Sequence, residues 1–386
     1  MKKYKNFFYL NNLFKIPLSF INLPTPININ YIWNFGSILG IFLIIQIISG
    51  LFLSIHYCPN INLAFIRISN IIKDINSGWL IRLIHINGAS FYFILIYLHI
   101  WRNMYYYSFK LNYVWLVGVI ILFLSIATAF LGYVLPWGQI SFWGAIVITN
   151  LLSAIPYIGQ IIVEWIWGGF SINNATLNRF FSFHFILPLI ILILVFIHLI
   201  ILHISGSSNP IHSKLNIYKI NFHPYFSIKD LITIIIILLL FILINLQNPY
   251  IFRDPDNFKI ANPIITPLHI KPEWYFLFAY SILRSIPNKL GGVIILFISI
   301  FILFFIPLIN NNKIKRLKFY PINQYLYWIF INILIILTWL GAQIIEYPFI
   351  NLNIFFSIIY FNYFIFSFLL NNLYDLINNN NNNKLN

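Results

Sequence analysis

Eight apolar runs constrain this chain more than any other feature of its sequence. They lie near residues 35–55, 83–104, 113–135, 180–204, 230–247, 291–309, 325–342 and 349–370, and the fifth has the shortest uncharged centre. A bilayer core about 30 Å thick requires about 20 apolar residues of α-helix. Only 8% of the residues are charged, whereas a soluble domain carries about a quarter. The sequence therefore predicts an all-α membrane protein with eight transmembrane helices.

A ninth apolar stretch, residues 140–163, is interpreted as surface helices on the outer side of the membrane. It contains Pro156, Gly159 and many small residues. With eight spans, fourteen of the 23 Lys and Arg residues fall on the side that holds both termini, together with only Asp230 and Asp375 of the acids. Inner loops of membrane proteins carry such an excess of positive charge. Both termini are therefore predicted on the inner side.

Charge and cysteine content exclude several classes of protein. The net charge of +15 does not indicate nucleic-acid binding, because Lys and Arg lie in short loops without a continuous basic face. Cys58 is the only cysteine, which excludes a disulfide framework, a cysteine-ligated cluster and a thioether-attached haem. The first fifteen residues lack the pattern of a signal peptide. The final "NNNNNNKLN" is a low-complexity tail and is expected to be disordered.

Two histidine pairs share one spacing. His85 and His99 in span 2 are fourteen residues apart, and so are His184 and His198 in span 4. Fourteen residues are just under four turns, or about 21 Å, so both rings of a helix face the same way. Because the two spans run in the same direction, the histidines match in depth, two near each face. Two neutral imidazoles can bind one haem iron from both sides, so two haems are predicted.

Four glycines repeat this spacing on the neighbouring spans. Gly36 and Gly50 lie in span 1, and Gly118 and Gly132 lie in span 3. A flat macrocycle packed against a helix needs a position without a Cβ atom. Close helix packing through small residues is the alternative for any one glycine. Four glycines in register with four histidines favour the haem interpretation.

Arg82 and Arg102 lie three residues outside the two histidines of span 2, toward the membrane faces. They are candidates to pair with haem propionates, and interfacial snorkelling is the alternative. Methionine ligation is set aside, because Met1 and Met104 are the only methionines. Four other histidines lack a depth-matched partner and are interpreted as structural: His56, His212, His223 and His269.

Together with these spacings, three motifs resemble the cytochrome b family. They are "GYVLPWGQISFWGA" at 132–145, "FRDPDNF" at 252–258 and "PEWY" at 272–275. The resemblance covers about residues 20–370 and implies the membrane subunit of a ubiquinol–cytochrome c oxidoreductase. It implies a di-haem four-helix domain in residues 1–212 and a second four-helix domain, with the PEWY loop, in residues 213–386. Asp254 and Asp256 are interpreted as a turn or a docking surface.

The resemblance implies an outer, quinol-oxidising site. Its members would be Tyr133, Gly144, Pro272, Glu273, Trp274, Tyr275 and Tyr280. Glu273 is an acid in an apolar, aromatic segment, so its pKa should be raised and it could take a proton from quinol. The alternative is a loop acid in an ion pair with Lys271 or Arg284.

The resemblance also implies an inner, quinone-reducing site. Its members would be Trp33, Asn34, His203, Ser207, Phe222 and Asp230. A histidine and a carboxylate beside a quinone can deliver the two protons that its reduction consumes. One electron from quinol would go to an iron–sulfur protein, and the other would cross the membrane through the two haems.

Partners and location also come from the resemblance. They are a Rieske-type iron–sulfur protein, a cytochrome c-type subunit, small subunits, a second copy of the complex and the mitochondrial inner membrane. Two departures from the family pattern are Ile211 with His212, and "WRNM" with Trp101 and Asn103. A different di-haem quinone oxidoreductase subunit would have only four or five spans and no PEWY motif, and a haem–copper oxidase would need clustered histidines. A transporter would place its polar groups near the midplane.

Overall fold

Twelve α-helices carry the fold in residues 22–211, 218–309 and 316–385, which the computed structural model describes. Eight are long and apolar enough to cross a membrane: α1 (Phe35–His56), α3 (Gly78–Tyr105), α4 (Asn112–Val134), α7 (Asn174–Ser205), α8 (Tyr225–Gln247), α10 (Lys289–Ile309), α11 (Pro321–Gly341) and α12 (Phe349–Leu385). The four shorter helices are α2 (Ala64–Lys73), α5 (Gln139–Asn150), α6 (Gly159–Trp167) and α9 (Leu277–Arg284). The prediction of an all-α protein with eight spans is confirmed.

Several basic residues used in the charge argument, and one histidine, lie outside the described residues. They are Lys2, Lys3, Lys5, Lys15, Lys214, Lys313, Lys315 and His212.

As predicted, the stretch 140–163 forms shorter helices and not a transmembrane span. It forms α5 and α6, which are joined by a 3₁₀ turn at Leu151–Ala154. Where α5 begins, the hydroxyl of Ser141 accepts a hydrogen bond from the N–H of Gly138 at 3.0 Å. The N–H of Ser141 itself donates to the side-chain oxygen of Asn257 at 3.0 Å. The "RDPDN" segment therefore caps this surface helix, and the turn expected there is present as a 3₁₀ helix at Pro255–Phe258.

Helices α1, α3, α4 and α7 form a bundle in which α1 packs on α3 and α4 packs on α7. Aromatic side chains fill its centre. Phe42 of α1 stacks on Phe91 of α3 with ring centres 5.5 Å apart, and Phe241 of α8 meets both rings edge-on. Helix α8 therefore closes one side of the bundle.

Helices α9, α11 and α12 pack together in the second half of the chain. Phe330 of α11 stacks on Tyr363 of α12 at 4.2 Å. Hydrogen bonds join this half to the bundle, among them one from Tyr327 Oη to the carbonyl of Trp101 at 3.0 Å and one from Trp115 Nε1 to the carbonyl of Leu303 at 2.7 Å. The two halves are in direct contact along the membrane interior.

Three features of the backbone were not expected from the sequence. The amphipathic helix α2 buries Ala64 and Ile71 and exposes Arg67 and Lys73. A short antiparallel ribbon pairs β1 (Pro24–Pro26) with β2 (Lys219–Asn221), and three residues are too few to show a strand period. The asparagine-rich tail continues α12 through Leu385, so the expectation of disorder was wrong. Extending an existing helix by one residue costs far less free energy than nucleating a new helix.

The amide of Asn87 ties the bundle to α8 and predicts a stability effect. It is fully buried, and its Nδ2 donates to Oδ1 of Asn245 at 3.1 Å and to the carbonyl of Pro249 at 3.0 Å. Replacing Asn87 with leucine removes both donors, which should cost about 1–3 kcal/mol. We expect a thermal unfolding midpoint lower by several degrees. Asn332→Leu is the matched control, because this exposed amide bonds only within its own helix. Equal losses in both variants would contradict the prediction.

Candidate functional site

The outer histidines face each other across the bundle. His85 on α3 and His184 on α7 have ring centres 6.1 Å apart and ring planes at 87°. Metal–imidazole bonds of about 2 Å on both sides of one ion would place the ring centres roughly 6 Å apart. The spacing of this pair therefore fits a single metal ion held between the two rings.

The hydrogen bonds of these two histidines fix which ring nitrogen is free. Nδ1 of His184 lies 2.8 Å from the carbonyl oxygen of Thr128, which can only accept. Nδ1 of His85 lies 3.0 Å from Oγ of Ser49, whose own proton goes to the carbonyl of Ile45 at 2.6 Å. Both Nδ1 atoms therefore donate, and both Nε2 atoms keep a lone pair. This is the arrangement that orients histidine ligands for a metal.

Glycines stand beside all four predicted histidines. A Cβ atom added at Gly36 would lie 3.4 Å from Cε1 of His99, and one at Gly118 would lie 3.3 Å from Cε1 of His198. At Gly50 the distance to Cε1 of His85 would be 3.0 Å. At Gly132 a Cβ would come closer still to the ring of His184. The structure thus brings each glycine to the histidine that the fourteen-residue spacing predicted.

A cavity of about 770 Å³ surrounds the outer histidine pair. Its lining includes His85, His184, Gly50, Gly132 and Arg82. In the part of the chain that the structure describes, no three His, Cys, Asp or Glu side chains cluster to hold a bare metal ion. A haem fits these observations, because its macrocycle supplies the other four ligands and needs a large, mostly apolar space.

The inner histidines show the same register with one difference. Nδ1 of His198 lies near the carbonyl of Val114, outside hydrogen-bonding geometry. Val114 precedes Gly118 by four residues, just as Thr128 precedes Gly132. His99 differs, because its Nδ1 accepts a bond from Arg102 at 3.3 Å. That bond places the proton of His99 on Nε2, so binding of a metal there requires Arg102 to turn away.

Arg102 is held on its other side by an aromatic ring. Its guanidinium lies 5.1 Å from the centre of the Trp33 indole. The indole N–H of Trp33 in turn donates to the carbonyl of Ser208 at 3.0 Å. Arg102 therefore links the inner histidine pair to the loop that follows α7.

A second, small cavity collects five of the residues predicted for the outer quinol site. They are Tyr133, Gly144, Pro272, Glu273 and Tyr280. Its volume is about 30 Å³, which holds about one water molecule. A Cβ atom at Gly144 would meet nothing within 4 Å. A quinone ring would enter this space only if the loop around it moved.

Tyr275 and Trp274 lie behind this small cavity. The ring of Tyr275 is buried and stacks on Phe93 with centres 4.2 Å apart, and burial raises the pKa of its phenol. Its backbone carbonyl accepts from Tyr97 Oη at 2.6 Å. Trp274 Nε1 donates to Oγ of Ser90 at 3.2 Å. Both rings therefore anchor the PEWY segment to α3, and Tyr275 faces the large cavity.

Glu273 is in an ion pair, but with neither of the partners expected from the sequence. Nη1 of Arg253 lies 2.8 Å from its Oε1. Lys271 pairs instead with Asp254 at 3.4 Å. Arg284 donates to backbone carbonyls near the end of α11. Burial raises the pKa of Glu273, and Arg253 acts in the opposite direction.

The inner-site residues gather where the N-terminal segment meets α8. The buried amide of Asn34 donates to the carbonyl of Lys229 at 3.1 Å and to Oγ1 of Thr233 at 2.9 Å. The hydroxyl of Ser37, close to Asp230, donates to the carbonyl of Asn34 at 2.8 Å. Ser207 donates to the carbonyl of Ser208 at 3.0 Å, next to Trp33.

Two further residues predicted for the inner site lie on the same side. Phe222 precedes α8, and its N–H donates to the carbonyl of Leu23 at 3.0 Å. His203 lies in the last turn of α7, half-buried. The structure therefore places all six predicted inner-site residues at one end of the bundle.

Sequence reasoning missed three groups that shape these sites. Ser49 and Thr128 orient the outer histidines, and Arg253 binds Glu273. A polar residue next to Gly50, and another four residues before Gly132, were the available signals in otherwise apolar helices. The sequence marked Arg253 only as the first residue of the "RDPDN" turn, with no indication of its partner.

The other described histidines stay apart from both pairs. His56 is exposed at the end of α1. His223 bonds Ser227 at 2.9 Å, and Nε2 of His269 lies 3.1 Å from the carbonyl of Ala342. The structural role of these histidines stays a prediction.

Known proteins resemble this chain through most of its length. A family model described as Cytochrome b/b6/petB matches residues 20–206, and one described as Cytochrome b(C-terminal)/b6/petD matches residues 260–361. Cytochrome b of Apis mellifera ligustica is 66% identical over 375 residues, 97% of this chain and 98% of that relative. A solved structure described as hyperthermophilic respiratory Complex III contains a chain with a TM-score of 0.89 and 34% identity, covering 95% of this chain and 97% of that one.

Proposed function

Because the chain belongs to the cytochrome b family, we propose that it is the membrane subunit of a respiratory quinol–cytochrome c oxidoreductase. It would oxidise quinol near the outer face, reduce quinone near the inner face and couple both to proton movement across the membrane. The similarity to a chain of a respiratory Complex III structure supports this assignment.

One observation carries the proposal. The ring centres of His85 and His184 are 6.1 Å apart, and both rings line a cavity of about 770 Å³. Each Nδ1 is hydrogen-bonded to a residue of a neighbouring helix, Ser49 or Thr128, which leaves each Nε2 free. We assign one haem to this pair and a second to His99 and His198. Gly50 and Gly132 would leave room for the outer macrocycle, and Gly36 and Gly118 for the inner one. Arg82 and Arg102 would neutralise propionates at the two faces. Haem bound at both pairs would supply one-electron transfer across the membrane.

Glu273 would receive a proton at the outer site. It lies in the wall of the small cavity beside Tyr133, Pro272 and Tyr280. Burial favours its neutral form, so a carboxylate held there has a high affinity for a proton released by quinol. Gly144, which also lines this cavity, leaves space in which a quinone ring would lie once the loop opens. Tyr275 would hold the PEWY segment in place from behind.

At the inner site the chain would supply protons. Asp230 and His203 are the two ionisable groups that we assign to this step. Trp33, Asn34, Ser207 and Phe222 would shape the pocket around the quinone. Asn34 is buried and bonded to α8, so it fixes the backbone that carries Asp230.

The remaining parts of the reaction would come from partner subunits. With Cys58 as its only cysteine, this chain would need a Rieske-type iron–sulfur protein and a cytochrome c-type subunit, and we propose that the assembled complex is a dimer. We place it in the mitochondrial inner membrane with both termini in the matrix, which the distribution of Lys and Arg supports. We divide the chain into a di-haem domain, residues 1–212, and a second domain, residues 213–386.

A reduced-minus-oxidised optical spectrum of the purified complex tests the proposal. We expect two non-covalent b-type haems per chain, extractable with acidic acetone, that titrate at two separate potentials. Two potentials are expected because the charged neighbours differ: Arg82, Arg253 and Glu273 line the cavity of the outer pair, whereas Arg102 and Trp33 lie near the inner pair. A complex with one haem or none would overturn the paired-histidine assignment and favour a transporter.

A further inference from the structure

The side chain of Glu273 lies in the wall between two cavities. It lines the small cavity with Tyr133 and Tyr280, and it also lines the large cavity around the outer histidines. Its side chain is 4% exposed. A carboxylate this deeply buried keeps its charge only if a counter-charge or hydrogen bonds compensate the lost solvation.

Arg253 supplies that counter-charge, and it is itself fixed at two points. Its Nη1 donates to Oε1 of Glu273 at 2.8 Å, while its Nη2 donates to the backbone carbonyl of Ile86. Its own backbone N–H donates to the carbonyl of Tyr250 at 2.9 Å. Because the guanidinium divides its donors between two acceptors, only one oxygen of the carboxylate is engaged in this contact. The other oxygen, Oε2, is not required for the pair.

The other charges near Glu273 are weaker influences or are already paired. Asp254 is bound by Lys271 at 3.4 Å and acts to raise the pKa of Glu273. Arg82, which lines the large cavity, acts to lower that pKa. The phenols of Tyr133 and Tyr275 face the same space. Arg253 is the largest of the influences that favour the charged carboxylate.

We propose that Arg253 is a positioning residue for quinol oxidation, which holds Glu273 in the wall between the two cavities as a carboxylate ready to accept a proton. The inference rests on the proposed function, because it gives a task to the outer site. The proton passes from a quinol hydroxyl to the Glu273 carboxylate, and no other group is consumed. Once Glu273 is neutral, the attraction to Arg253 largely disappears, so proton transfer itself loosens the pair.

The test is the pH dependence of quinol oxidation in the assembled complex. A short-tailed ubiquinol is the electron donor, and cytochrome c is the acceptor. Since the charged carboxylate is the base, the rate falls as the pH drops through the pKa of Glu273. Removing the positive charge in Arg253→Gln raises that pKa, so the acid limb of the profile should move up by roughly one pH unit or more, or about tenfold in rate on that limb.

Two further variants complete the design. Arg253→Lys keeps the charge, but a single ammonium cannot reproduce both contacts of the guanidinium, so we expect a smaller shift in the same direction. If the complex that contains Arg253→Gln does not assemble, the Arg253→Lys variant alone tests the proposal. Lys259→Gln is the matched control, because Lys259 pairs with Asp256 at 2.6 Å in the same loop but is exposed. Its acid limb should coincide with that of the wild type.

The haem spectrum separates this inference from the proposed function. A wild-type complex without two b-type haems or without quinol oxidation would overturn the proposed function itself. If the wild type is as proposed, an Arg253 variant with full haem content and an unmoved acid limb overturns the role of Arg253 alone. Loss of haem in the Arg253 variants would also overturn it, because the arginine would then support α3 rather than position Glu273.

Discussion

Replacing His184 with leucine is expected to leave one b-type haem per chain instead of two. The free Nε2 of His184 faces His85 across 6.1 Å between ring centres, and leucine offers no donor to a metal. The remaining haem should be the inner one, because His99 and His198 lie on the opposite side of the aromatic layer formed by Phe42, Phe91 and Phe241. Haem extraction and a redox titration of the purified complex measure both the number and the identity of the haems.

The mirror variant and a distant histidine provide the controls. His198→Leu should remove the other haem, so that the two single variants lose spectral components with different potentials. His56→Leu should keep both haems, because His56 is exposed at the end of α1. Retention of both haems in His184→Leu would show that the pair is not a ligand pair. Loss of both in His56→Leu would mean that the assay reports instability rather than ligation.

Gly132→Ala should weaken binding of the outer haem while leaving the inner haem in place. A single Cβ atom at this position would overlap the ring of His184. That ring cannot easily give way, because its Nδ1 is bonded to the carbonyl of Thr128 at 2.8 Å. Disturbing the groups that orient a metal ligand typically costs 10–100-fold in metal affinity, about 1.4–2.7 kcal/mol. We therefore expect substoichiometric outer haem, measured by extraction after prolonged washing in detergent.

Gly40→Ala on α1 is the matched control for this substitution. A Cβ atom at Gly40 would meet nothing within 4 Å, so both haems should remain. Alanine in a helix interior is also more favourable than glycine by roughly 0.5–1 kcal/mol. The haem loss in Gly118→Ala should be intermediate between the losses in Gly40→Ala and Gly132→Ala, since its Cβ would lie 3.3 Å from Cε1 of His198. Equal haem loss at Gly40 and Gly132 would contradict the argument from close approach.

The pairing of the four histidines could be predicted from the sequence, because the depth of a residue in a membrane-spanning helix follows directly from its residue number. Once His85 and His184 were placed on spans that run the same way, the equal spacing to His99 and His198 determined which rings should meet. The structure places each glycine beside the expected histidine for the same reason. Span number followed from apolar length and charge, with α5 and α6 correctly left out of the count.

Contacts between loops could not be predicted in this way. Arg253 and Glu273 are separated by twenty residues without regular spacing, so only the folded loop shows that they meet. The sequence instead suggested Lys271 or Arg284, which are nearer along the chain. The closed small cavity was missed for a related reason, because its volume depends on how the PEWY segment packs against α4 and α5.

The ribbon between β1 and β2 imposes an order on biosynthesis. Thr25 is translated almost two hundred residues before its partner Ile220, and Trp33 and Asn34 follow it closely. While α1 to α7 are being inserted, this early segment has no β2 to pair with and no α8 to bond. The residues predicted for the inner quinone site would therefore come together only after more than half of the chain has left the ribosome, later than the histidine pairs of α3 and α7. Binding of haem at the proposed histidine pairs would thus be able to precede completion of the proposed quinone pocket.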